Sequence, residues 1–147
     1  MSDLYFAYGS NMKTERLRER IPNARAIGLA TLDGYQFTMN KLGRDASSKA
    51  NIEPMNDTLV YGVAFLFDPD QWKILDSFEG GYKRITVKIE TDKEVNDAST
   101  YICIDSRELV RNRAPFGWYL NLILDGAAQH GLPHDYIRNI KTKFRSN

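Results

Sequence analysis

The chain has 147 residues, of which 42% are hydrophobic and 27% charged, with a formal net charge of +1. That balance suits one globular domain over residues 1–147 with a sizeable core, and it supplies no global field pointing to nucleic acid or an anionic membrane. One cysteine, Cys103, excludes an intrachain disulfide and a multi-cysteine metal site, and no run approaches the roughly 20 apolar residues of a membrane span. Met1-Ser2-Asp3 is unlike a signal peptide, so a cytoplasmic location is expected.

Residues 4–8 form a short apolar and aromatic run, which reads as a buried strand. Gly9 can then take backbone angles that a Cβ resists, and Ser10 and Asn11 are suitable helix caps. The helix expected over residues 12–20 is charged nearly all round and stops at Pro22. It reads as a surface helix whose charges need no partner. Residues 26–32 and 35–40 read as a hairpin across Asp33-Gly34, with Tyr35, Phe37 and Met39 on its buried face. Residues 41–50 form a polar loop, either a lid near a binding turn or a solvated connection.

Residues 51–54 suggest a short edge strand, since Pro54 cannot donate to a ladder, and residues 59–67 a central one. Asp68-Pro69 starts a helix whose inward face is Trp72, Leu75 and Phe78. Residues 82–90 and 98–104 are strands around a polar turn, the first burying Ile85, Val87 and Ile89. Cys103 lies in the second and reads as packing. A charged loop over 105–115 leads to a strong helix over 116–130 that ends at Gly131. A last helix follows Pro133, with Tyr136, Ile137, Ile140 and Phe144 inward. The roughly seven strands and four helices do not alternate regularly, which disfavours a doubly wound sheet. An α+β fold fits best: a small, mostly antiparallel barrel of about six to seven strands with flanking helices.

Two stretches could carry chemistry. A strand running into the turn Tyr8-Gly9-Ser10-Asn11 would point several N–H groups into one small volume, a place for a carboxylate. An ordinary strand-to-helix connection would look the same. The second stretch is Asp76-Ser77-Phe78-Glu79-Gly80-Gly81-Tyr82. Its glycines can aim Glu79 into a cavity, where Phe78 and Tyr82 would desolvate the carboxylate and raise its pKa. Glu79 could equally satisfy the turn or pair with Arg84. Gly131 and Pro133 separate His130 from His134, so no helical zinc pair forms. No Walker-type loop, GxGxxG or G-x-S-x-G elbow occurs, and Ser10 has no readable triad. Arg138, Lys141, Lys143 and Arg145 read as a solvated face, not a nucleic-acid site.

Taken together, the two stretches resemble the gamma-glutamylcyclotransferase family, part of the gamma-glutamylcyclotransferase-like, AIG2-like superfamily. The resemblance covers nearly the whole chain. Tyr5-Phe6-Ala7-Tyr8-Gly9-Ser10-Asn11 matches the family's YFAYGSN motif, and Glu79-Gly80 stands where the family carries its catalytic glutamate. Val60-Tyr61-Gly62-Val63 and Gly131-Leu132-Pro133 with Tyr136 match further segments. The resemblance implies a small barrel and an enzyme releasing 5-oxoproline from a γ-glutamyl amide. It implies Glu79 as general acid and base, and substrate contacts from Tyr5, Phe6, Ala7, Tyr8, Gly9, Ser10, Asn11, Tyr82 and Tyr119. No metal or cofactor is implied. The leaving group stays open between an amino acid, an amine and a biosynthetic intermediate. So do a non-catalytic γ-glutamyl-binding protein and a homodimer.

Overall fold

The structure is a computed structural model and describes residues 2–92 and 94–145. The apolar runs become five strands: β1 (Asp3–Ala7), β2 (Arg25–Leu42), β3 (Ser48–Phe67), β4 (Lys83–Thr91) and β5 (Glu94–Ile102). The helices are α1 (Thr14–Arg20), α2 (Trp72–Phe78), α3 (Gly117–Gln129) and α4 (His134–Phe144). The strands close into a barrel in the order β1-β3-β2-β4-β5. Every pairing is antiparallel except β1 with β5, which closes the ring. The barrel is the expected fold, with five strands where six to seven were counted.

The lower count comes from β2 and β3, of 18 and 20 residues. At about 3.3 Å per residue each is roughly 60 Å long, so each bends and serves two parts of the barrel. Asp33-Gly34 is therefore not a hairpin turn. Gly34 takes φ 84° in a break in register, and pairing resumes from Asp33↔Leu59 to Tyr35↔Pro54. Residues 55–58 of β3 stand out without partners on β2, and Thr58 Oγ1 donates to the Tyr35 carbonyl at 2.8 Å. A glycine-assisted bulge satisfied the turn chemistry, and the ladder re-formed on both sides. The short edge strand expected at 51–54 is likewise the first part of β3.

The polar loop expected over residues 41–50 shrinks to 43–47. Lys41 pairs with Lys49 and Leu42 with Ser48 as the ends of β2 and β3. Gly43 N–H bonds the Ser47 carbonyl at 2.9 Å to close this hairpin, and Lys41, Ser47, Ser48 and Ala50 are buried. A segment pinned in this way is the end of a hairpin, not a lid.

The barrel is filled by Phe6, Ile52, Val60, Val63, Phe65 and Ile89, with Met12, Leu17, Leu75 and Ile123 sealing it from the helices; all are fully buried. Each such side chain stabilises the fold by about 1.5–3 kcal/mol. Two contacts position the site. On one side, α2 is anchored by Trp72, which packs on Phe67 at 4.6 Å between centroids and donates from Nε1 to Asp3 at 2.9 Å. Phe78 turns outward instead and is 52% exposed. On the other, α3 lies against the Ser10–Met12 turn at Gly126, where an added Cβ would meet the Met12 and Lys13 backbone.

Gly126→Ala tests this approach. In an ordinary helix interior the change would stabilise by about 1 kcal/mol. Here the backbone blocks the methyl group, so a net loss of about 1–3 kcal/mol is expected by urea unfolding. A gain would show that α3 does not press on the turn.

Candidate active site

The turn after β1 differs from a capped helix start. Gly9 has φ −116°, so a positive φ is not its reason for being glycine. Space is the reason: a Cβ there would lie 3.1 Å from the Ala50 Cβ and 3.8 Å from the Tyr119 hydroxyl. Ser10–Met12 forms a 3₁₀ turn before α1, and neither Ser10 nor Asn11 caps it. Ser10 Oγ accepts from Arg16 Nε at 3.1 Å. Asn11, 5% exposed, donates from Nδ2 to the Tyr5 hydroxyl at 3.1 Å and to Glu79 Oε1 at 3.2 Å.

Glu79 arrives from the far side of the fold as the residue after α2. Its N–H bonds the Asp76 carbonyl at 3.1 Å, and its own carbonyl accepts from Tyr82 N–H at 3.1 Å. The tight turn between them needs Gly81 at φ 85°, where a Cβ would run into Lys41. The carboxylate thus joins Tyr5, Tyr8, Gly9, Ser10, Asn11, Tyr82 and Tyr119 around a small open cleft that also includes Ala50 and Tyr101. Phe6 and Ala7 are not in its wall. Phe6 is fully buried in the core, where its carbonyl accepts from Thr100 Oγ1 at 2.7 Å, and Ala7 is buried beside it.

Five tyrosines line the cleft. Three commit their protons to the protein: Tyr8 to the Tyr101 carbonyl, Tyr82 to the Ala50 carbonyl and Tyr101 to Asp76 Oδ1, each at 2.6 Å. Tyr5 accepts from Asn11, and Tyr119 accepts from Ala50 N–H at 3.0 Å, which leaves both hydroxyl protons to donate into the cleft. Burial pushes the Tyr119 hydroxyl up to about 12 and raises Tyr5, Tyr8 and Tyr82 as well. All four stay neutral donors at physiological pH. Burial also raises Glu79 above its ordinary value, against the opposing pull of Arg20, the Asn11 hydrogen bond and Arg16. The site therefore holds a carboxylate biased toward accepting a proton, beside neutral hydroxyl donors. Among the described residues no group of three or more His, Cys, Asp or Glu could hold a metal. Neither histidine lines the cleft; His130 bonds Thr14 Oγ1 at 2.9 Å.

Sequence reading missed Tyr101, Ala50 and the cations. Arg16 and Arg20 are not idle surface charges. Spaced i, i+4 on one face of α1, they line a vestibule at the mouth of the cleft with Lys41, Arg44 and Lys49. That spacing was the available signal. Lys41 offered none, because its burial depends on Glu108 and Tyr82 far along the chain.

A profile of the AIG2-like family matches residues 59–140, over half of the chain. The human gamma-glutamylcyclotransferase is 30% identical over 148 aligned residues, spanning 95% of this chain and 78% of that protein. The chain belongs to the gamma-glutamylcyclotransferase family. It is accordingly an enzyme of the cyclotransferase type. The mouse gamma-glutamylcyclotransferase is 29% identical, with 94% and 77% of the two chains covered. A solved gamma-glutamyl cyclotransferase superposes with a TM-score of 0.89 at 27% identity, covering 100% of this chain and 90% of that one. YkqA from Bacillus subtilis, at 23% identity and TM-score 0.84, shares the fold. No helix among the described residues is long and apolar enough to cross a membrane.

The raised Glu79 carboxyl sets a pH dependence of stability. A group that holds its proton more tightly when folded contributes most below its unfolded value, 4.5, and the contribution falls as pH rises through the folded value. Glutamine does not titrate. The melting temperature of Glu79→Gln should therefore gain on wild type between about pH 4 and about pH 7.5. A loss over that range would mean that Arg16 and Arg20 outweigh burial and hold the carboxylate ionised.

Proposed function

We propose that this enzyme cyclises a γ-glutamyl amide to 5-oxoproline and releases the free amine. The observation that carries the proposal is the Glu79 carboxylate, raised by burial and held by Asn11 in a cleft of hydroxyl donors. The substrate brings its own nucleophile. Its α-nitrogen attacks its γ-carbonyl carbon, the new C–N bond closes a five-membered ring, and the original amide C–N bond breaks. Glu79 takes a proton from the α-ammonium, freeing the amine for attack, and passes it to the departing nitrogen. The second proton that the α-nitrogen loses as it becomes the lactam N–H follows to the same nitrogen, which leaves as an ammonium, so the carboxylate is restored with each turnover. No activated Ser or Cys is required.

Ring closure is intramolecular, so the main task is to hold the bent conformer. The first N–H groups of the Ser10–Met12 turn have no acceptor within it and are available to the α-carboxylate. Tyr5 and Tyr119, with uncommitted hydroxyl protons, are suited to the oxygen that gains charge during attack. Gly9 leaves the volume that the glutamyl group fills. Tyr8 and Tyr82 shape the wall and exclude water.

A panel of γ-glutamyl amino acids and γ-glutamylamines, assayed for 5-oxoproline, tests the reaction. Glu79→Gln keeps the shape and removes the proton carrier, so kcat should fall roughly 10²–10⁴-fold. A folded Glu79→Gln with wild-type turnover would remove Glu79 from the mechanism. Gly9→Val places side-chain carbons against Ala50 and should raise KM by about tenfold or more in a folded protein. An unchanged KM would place the glutamyl group elsewhere. A pure binding protein would bind these ligands and release no product.

A further inference from the structure

The vestibule next to the cleft shares Ser10, Glu79, Tyr82 and Tyr119 with it, so whatever leaves the γ-carbonyl projects into this space. Its wall carries five cations, Arg16, Arg20, Lys41, Arg44 and Lys49, and a single carboxylate, Glu79. The whole chain is only +1, so the concentration is local. Two of the five are answered within the protein: Lys41 by Glu108 at 3.4 Å and Lys49 by Asp45 at 3.1 Å. Arg16, Arg20 and Arg44 make no ion pair among the described residues. Arg16 spends one donor on Ser10, and Arg20 lies 4.7 Å over the Phe78 ring. Arg44 reaches within 3.7 Å of the Cβ position of Gly80, beside the catalytic turn.

The charges can be counted. Three unpaired arginines less the one charge of Glu79 leave two positive charges facing the vestibule. The glutamyl group does not answer them, because its α-ammonium and α-carboxylate cancel. Keeping like charges together is unfavourable without an anion. Arg16 shows that burden: burial, and then Arg20, lower its pKa.

Resting on the cyclotransferase reading above, we infer that the vestibule selects a leaving amine that carries at least two negative charges, as an acidic amino acid (two) or a phosphorylated one (nearly three) does. A neutral amine gains nothing there, and a cationic one, such as a polyamine, is repelled. The reaction chemistry is unchanged; the vestibule sets which amide reaches it.

The test compares four γ-glutamyl amides, those of aspartate, O-phosphoserine, alanine and alaninamide, in wild type and Arg44→Glu. Wild-type kcat/KM should be higher for the aspartate or phosphoserine amide than for the alaninamide by about tenfold or more, with alanine between. Aspartate against phosphoserine separates carboxylate from phosphate. Added salt should erode the preference, and Arg44→Glu should bring the ratio to about one or invert it. Equal rates across the series, or a lead for the alaninamide, would overturn the inference while leaving the cyclisation intact. Calorimetric binding of the same amides to Glu79→Gln, which keeps them whole, supplies a readout independent of turnover. Tightest binding of the aspartate or phosphoserine amide there, with no 5-oxoproline from wild type, would support the vestibule and sink the catalytic reading. Equal affinities there would sink the inference.

Discussion

One carboxamide holds the site together. Asn11 Nδ2 has two hydrogens and gives one to Tyr5 on β1 and the other to Glu79 beyond α2. A carboxylate moved out of water needs such donors, because an unanswered one would neutralise or pull its segment back to solvent. The barrel brings these three residues together, and much of its detail follows from that need. Trp72 ties α2 to Asp3 so that the helix ends at the right place, and Gly126 lets α3 support the turn that carries Asn11.

The tyrosines extend the same logic. A cleft lined by apolar rings excludes water and raises Glu79, while the hydroxyls supply the polar contacts that a polar ligand requires. Tyr8, Tyr82 and Tyr101 are locked by bonds to the protein and are rigid walls. Tyr5 and Tyr119 have a proton left to give. Opposing influences act on Glu79: burial favours the protonated form, and the arginines favour the ionised form. A group in that balance can both take and return a proton.

The parts of this account legible in sequence are those written in adjacent residues. Tyr8-Gly9-Ser10-Asn11 and Glu79-Gly80-Gly81 each announce a turn that aims a polar group. Alternation of Ile85, Val87 and Ile89 marked the buried face of β4, and the mixture of hairpins and helices indicated a barrel. Misreadings arose where a local signal had two structural outcomes. Asp33-Gly34 is as good a bulge as a turn, and only the pairing of β3 across it decides. Phe6 belongs to the same motif as Tyr5, but the core claimed it. Lys41 was unreadable as a site residue and the arginines of α1 showed only their i, i+4 spacing, because their neighbours at the vestibule lie dozens of residues away.

The central claim is that the substrate's own nitrogen, and not water, attacks the γ-carbonyl while Glu79 moves the proton. Turnover of a γ-glutamyl amide in ¹⁸O-labelled water, with products read by mass spectrometry, tests it most directly. Intramolecular attack predicts 5-oxoproline without label and an equal amount of released amine. Free glutamate carrying ¹⁸O in its γ-carboxylate would mean that water is the nucleophile and would contradict the account.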